Sequence, residues 1–205
     1  IGTKVPAFNP FRILNDPLLL EMFKTYSTGE KKIYIMAHFN HPRELTPEAI
    51  EGLNLLMESG VSLVNQTPMV KGVNDDPEVL AELFSKLSYI GVPPYYVFLC
   101  RPTLGNETYS VPVERGYEIF EKSRTLCSGL AKRARLVMSH ESGKIEVLGM
   151  SEDQIFFKFL RAADKINDAR FMAFFRNPEA CWFDDYQEAS DEFSLFSQTV
   201  RAGCS

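Results

Sequence analysis

Apolar runs of strand length alternate with amphipathic stretches over the first two-thirds of the chain. Ile33–Ala37, Val61–Val64 and Tyr95–Leu99 are nearly continuous in hydrophobicity, which predicts buried strands of a parallel sheet. Between them the pattern turns helical. Asp16-Pro17 opens a helix over Leu18–Tyr26, with Asp as the cap and Pro at the first helical position. Thr46-Pro47-Glu48 repeats that start, Ile50, Leu53 and Met57 share one face, and Gly60 closes the helix. Asp76-Pro77 opens another, striped by Leu80, Leu83, Phe84 and Leu87 and ended by Gly91; a further helix spans Val113–Leu126. This rhythm predicts βαβ units and a parallel sheet, barrel-like or open.

After residue 130 the rhythm changes. Arg135–Met138, Ile145–Leu148, Ile155–Leu160 and Phe171–Phe175 are strand-like without a helical stripe between them, which predicts an antiparallel or mixed appendage. The stretch from Trp182 onward is acidic and aromatic and reads as a short helix or a docking tail.

Composition narrows the function classes. The 205 residues are 45% hydrophobic and 24% charged, ordinary for a globular domain, and the net charge is −5. With no dense Lys/Arg stripe, a nucleic-acid surface is not expected; the short run Lys132-Arg133-Ala134-Arg135 reads as a solvated edge. No apolar run approaches the roughly 20 residues of a membrane span. Cys100, Cys127, Cys181 and Cys204 are widely spaced, with no metal-cluster or disulfide-framework spacing, so a reducing, cytoplasmic setting is expected.

The candidate chemistry lies at strand ends. In parallel α/β folds the loops at strand C-termini converge on the functional rim. His38, Asn40 and His41 follow the first strand, Asn65 and Gln66 the second, and Cys100 and Arg101 the third. His38 and His41 have the spacing of a metal pair, but no third ligand is at hand, and loop histidines held by hydrogen bonds are the plainer reading. Arg101 next to Leu99 and Cys100 calls for a partner, either an anionic ligand or an internal carboxylate. Lys144 falls in Ser142-Gly143-Lys144, at the tip of a hairpin between two strands. It is a solvated charge or, if desolvated, an amine for covalent chemistry, with small neighbours that would admit a planar cofactor.

Two long segments carry a resemblance: HFNHPRELTPEAIEGLNLLMESGVSLVNQTPMVKGVNDDPEVLAELFSKL and PPYYVFLCRPTLGNETYSVPVERGYEIFEKSRTLCSGL. They resemble the lysine 2,3-aminomutase family of radical SAM, pyridoxal-phosphate enzymes over about residues 1–150, with HFNHP, NQT and GVND in order. The resemblance implies the second half of a partial (β/α)6 radical SAM barrel over residues 1–130 and a β-rich C-terminal extension over 131–205. It implies an isomerase that moves an amino group between adjacent carbons, using S-adenosylmethionine, a 4Fe–4S cluster and pyridoxal phosphate. Lys144 matches the family's pyridoxal lysine, although His140-Glu141-Ser142-Gly143 stands where the family has a glycine-rich run. His38 and Gln66 match residues expected to contact S-adenosylmethionine.

Two departures follow. The family's CxxxCxxC loop is absent, so the cluster ligands lie outside this chain and the fragment alone is expected to be inactive. Its partners would be the N-terminal half of the same enzyme, an amino-acid substrate and further copies in a homo-oligomer. In the lysine enzymes an aspartate that pairs with the substrate ammonium stands at the Arg101 position, and a second falls near Val137 or Met138. Arg101 therefore argues against free lysine and for an acidic amino acid such as glutamate. The alternatives are another radical reaction on the same fold, or a non-catalytic half-barrel subunit.

Overall fold

The computed structural model describes residues 1–189, so Cys204 and the end of the acidic tail lie outside the described residues. In chain order the elements are β1 Gly2–Thr3, α1 Val5–Phe8, α2 Phe11–Leu14, α3 Pro17–Tyr26, β2 Tyr34–Ala37, α4 Pro47–Glu58, β3 Ser62–Met69, α5 Pro77–Tyr89, β4 Pro94–Leu99, α6 Val113–Thr125, β5 Arg135–His140, β6 Gly143–Met150, β7 Gln154–Ala162 and β8 Phe171–Phe175. The helix starts follow the cap chemistry. Asp16, Thr46 and Asp76 accept from the backbone amides of Leu19, Ala49 and Glu78, at 3.0, 3.2 and 2.8 Å, each with proline next. Gly60 and Gly91 end α4 and α5 with φ of +88° and +81°.

All eight strands form one sheet in sequential order. β1 to β5 run parallel, and β5 to β8 form an antiparallel meander. Sequential parallel neighbours joined by right-handed crossovers place their helices on one side of the sheet. The burial pattern agrees: Ile35, Ala37, Leu63, Met69, Val97 and Leu99 are buried, whereas Met36, Val64, Gln66, Tyr96 and Phe98 on the opposite face are only partly so. The apolar runs predicted strands covered on both faces; here the helices cover one.

The core divides at β3. Ile35, Leu53, Leu63 and Leu87 belong to a cluster under the N-terminal helices, and Val97, Phe120, Leu136, Ile145, Phe157 and Trp182 to a larger one toward the meander. Around residue 130 the sheet is unbroken, because β5 pairs parallel with β4 before β6 reverses. Trp182 is followed by a short 3-10 turn over Phe183–Asp185 and packs into the larger core.

Candidate active site

The open face of the sheet carries His38, Gln66 and Lys144. Ala37 pairs with Asn65, so His38, just past β2, stands beside Gln66; Gln66 pairs in turn with Tyr96. Residues two apart along a strand share a face, which puts Gln66, Tyr96 and Phe98 on the uncovered side. The His38 ring and the Gln66 amide are in direct contact. Burial, reinforced by the Lys4 ammonium, lowers the His38 pKa and favours a neutral ring. Gln66 lies inside β3, which runs on to Met69, rather than after its end.

Lys144 reaches the same face from the meander. β6 runs antiparallel to β5 and therefore begins at the edge where β2, β3 and β4 finish. Lys144 is its second residue and pairs with Ser139, so it stands on the strand and not at the hairpin tip. Its Nζ lies 4.2 Å from the Tyr96 ring centroid and 5.2 Å from that of Phe98. Burial lowers the amine pKa; Tyr95 opposes that shift and Arg161 adds to it. Burial, with Tyr95 adding to it, pushes the Tyr96 phenol up to about 12, so it remains a proton carrier at neutral pH. An amine with lowered pKa, held against flat aromatic rings, is suited to covalent attachment of an aldehyde.

The space beside Gly143 is taken. A Cβ there would stand 2.2 Å from the Arg161 carbonyl oxygen, and φ is +140°. The glycine admits the β7 backbone, not a planar ligand.

Arg101 is not joined to this group. It sits in an exposed loop after β4 and makes no ion pair among the described residues; its carbonyl accepts from the Asn106 side chain at 3.1 Å. Water covers its charge, so the argument that it requires a buried partner does not apply.

Several polar residues of the rim are scaffolding. Asn65 is fully buried, accepts from the Phe39 amide at 2.8 Å, and donates to the Phe39 carbonyl at 3.2 Å and to Thr67 Oγ1 at 2.8 Å. Asn74 accepts from the Val70 amide at 2.7 Å and donates to the Asn40 and Pro68 carbonyls at 2.8 and 2.9 Å. His41 caps a short turn by accepting from the Arg43 amide at 3.1 Å, so its ring is turned to the backbone and not paired with His38. Among the described residues no group of three or more His, Cys, Asp or Glu could hold a metal ion.

Two residues on the open face escaped the sequence reading. Tyr96 links the His38–Gln66 pair to Lys144; the alternation of β4 carries that signal once Gln66 and Lys144 are given a face. Glu146 stands two residues from Lys144 with its side chain 17% exposed, and burial raises its pKa while Arg135, 3.8 Å away, and Lys158 oppose the shift. Burial thus favours the protonated form of this carboxyl group more than in water.

No family model matches the chain. Among curated proteins it is 56% identical, over 194 residues and 94% of its length, to an Aquifex aeolicus protein provisionally named L-lysine 2,3-aminomutase. It is 41% identical over 129 residues to the L-lysine 2,3-aminomutase of Clostridium subterminale, and 34% over 143 residues to the glutamate 2,3-aminomutase of Clostridioides difficile. These matches cover 63% and 70% of this chain. The chain spans about half the length of the first relative (52%) and about a third of the other two (30% and 32%). Among solved structures, a radical SAM methyltransferase from Sphaerobacter thermophilus aligns with 59% of this chain and 38% of its own, at 17% identity and a TM-score of 0.44, too slight a likeness to bear on the site. No helix among the described residues is long and apolar enough to cross a membrane.

Proposed function

We propose, from the chain's homology to the lysine 2,3-aminomutase family over 94% of its length, that it is the C-terminal half of a radical SAM amino-acid aminomutase. The observation that carries this reading is the Lys144 amine on the Tyr96 ring, on the face that also holds His38 and Gln66. The residues fit pyridoxal phosphate: Lys144 would hold the aldehyde end, and Tyr96 and Phe98 offer flat surfaces. Pyridoxal phosphate, when bound, supplies an electron sink at the substrate nitrogen. His38 and Gln66 would contact S-adenosylmethionine, with the neutral ring and the amide acting as one hydrogen-bonding unit. Tyr96 would retain its proton and orient Lys144, and Glu146 would take up or release a proton.

The ligands of the 4Fe–4S cluster would lie in the N-terminal half. That half would also close the open face into a partial barrel and exclude water from it. Arg101, in the exposed loop after β4 and apart from the Lys144 group, would offer its guanidinium to a substrate carboxylate, which favours an acidic amino acid such as glutamate over lysine. A homo-oligomeric, cytoplasmic enzyme completes the proposal.

The test is the visible spectrum of the full-length protein with added pyridoxal phosphate, beside Lys144→Ala. A band present in the parent and lost in the variant supports the reading. No band in either protein sinks it.

A further inference from the structure

We propose that Asp184, His140 and Ser142 form a relay that positions Lys144, an inference that rests on the reading of Lys144 as the cofactor-attaching amine. His140 closes β5 and Ser142 lies in the turn before β6. His140 Nδ1 accepts from the Ser142 amide at 3.1 Å and faces the Ser142 hydroxyl at 2.6 Å. Both neighbours are donors, so the ring proton is assigned to Nε2, which faces the two Asp184 carboxylate oxygens at 3.0 Å each. The His140 side chain is 7% exposed, with Trp182 and Phe183 at ring distances of 6.1 and 5.5 Å, while Asp184 is 68% exposed.

The other side of the turn is held by β7. The Ser142 carbonyl accepts from the Ala163 amide at 2.7 Å, and Gly143 lies against the Arg161 carbonyl. Ser142 and Gly143 are thus clamped between the end of β7 and a segment more than 40 residues downstream of the turn. Lys144 is the next residue, and the β6–β7 register shifts between Lys144 and Ile145. Lys144 pairs regularly with Ser139 of β5, and the turn contacts fix how the start of β6 sits against β7, where the ladder is irregular. Tyr95 and Tyr96 of β4 and Arg161 of β7 are the groups that face the amine from neighbouring strands. Because Asp184 is exposed, its truncation removes an orienting contact and little stability.

The test is competitive acetylation of lysines in the full-length protein by acetic anhydride across a pH series, read by peptide mass spectrometry without pyridoxal phosphate. The exposed Lys165 serves as reference. In Asp184→Ala, Lys144 labelling at neutral pH is expected to fall about threefold as the amine regains water, equivalent to a rise of about half a pH unit in its midpoint. Asp184→Asn keeps an acceptor for Nε2–H and should retain the parent profile, and Ser142→Ala should shift it in the same direction by less. An unchanged Lys144 profile in Asp184→Ala overturns the relay. So does a lowered melting temperature with altered labelling at every lysine, which would mark Asp184 as merely structural. Borohydride trapping with pyridoxal phosphate in the parent protein separates the two readings: no label on Lys144 removes the cofactor assignment and leaves the acetylation result standing.

Discussion

The parallel strands and the antiparallel meander deliver functional groups by different means. In the parallel part, His38, Gln66 and Tyr96 form a row through strand pairing alone, with one register shift between Asn65 and Gln66. In the meander, Lys144 pairs with Ser139 and Arg161, and the turn before it is also held by Ala163 and, through His140, by Asp184. Strand register is robust to single changes, whereas a clamped turn depends on each of its distant contacts. The cofactor-side lysine should therefore be the more easily displaced part of the site.

The largest effect is expected where the meander is tied to α6. Glu114 is 2% exposed and accepts from Arg176 Nε at 2.9 Å and from the Asn177 amide at 2.7 Å. Glu114→Ala leaves both donors unpaired and should cost about 4 kcal/mol in denaturant unfolding. If the meander is the fragile region, amide exchange in the variant should accelerate in β8 before β3. Gly143→Ala comes next. A Cβ 2.2 Å from a backbone oxygen at φ +140° cannot be relieved by a side-chain rotation, so a loss of about 3 kcal/mol is expected, with the Lys144 spectral band abolished.

The matching change in the parallel part is smaller. Asn65→Ala strands the Phe39 amide and should cost about 2 kcal/mol. Gln66 should still stand beside Tyr96, so binding of S-adenosylmethionine, read by calorimetry on the full-length protein, should weaken less than the stability loss implies. Asp76→Ala, which removes the cap of α5, should cost about 1 kcal/mol and leave the Lys144 band intact.

The weakest effect is a pH dependence. The folded-state pKa of His38 is lowered from 6.5, so below pH 6.5 the unfolded chain takes up a proton first. Stability should decline as the pH falls from 6.5 toward the folded-state value and then level off. His38→Gln should flatten that limb in thermal melts from about pH 5.5 to 7.5, about one unit either side of the usual histidine value.

The same contrast explains how much could be read from sequence. Caps at Asp16, Thr46 and Asp76 and closures at Gly60 and Gly91 are local chemistry, and the helices stand where those residues put them. β3 reads as ending at Val64, yet it continues to Met69 because the buried amide of Asn65 and hydroxyl of Thr67 satisfy the Phe39 backbone across the strand end. His38 and Gln66 read as polar groups that successive strands deliver to one rim, and their side chains touch. The setting of Lys144 differs from the open hairpin tip that its sequence suggests, since the carbonyl of Arg161 packs against Gly143 from a strand eighteen residues on, and no local pattern marks it. Arg101 was weighted as a charge beside apolar residues, but the loop turns it to water. Tyr96 went unnoticed because its role depends on which side of the sheet the helices leave open.

The most direct measurement is borohydride reduction of the full-length protein with pyridoxal phosphate, followed by peptide mass spectrometry. The account predicts a phosphopyridoxyl group on Lys144 and none on Lys158, which shares the same sheet. Label on Lys158 with Lys144 unmodified, or no label on either, would contradict it.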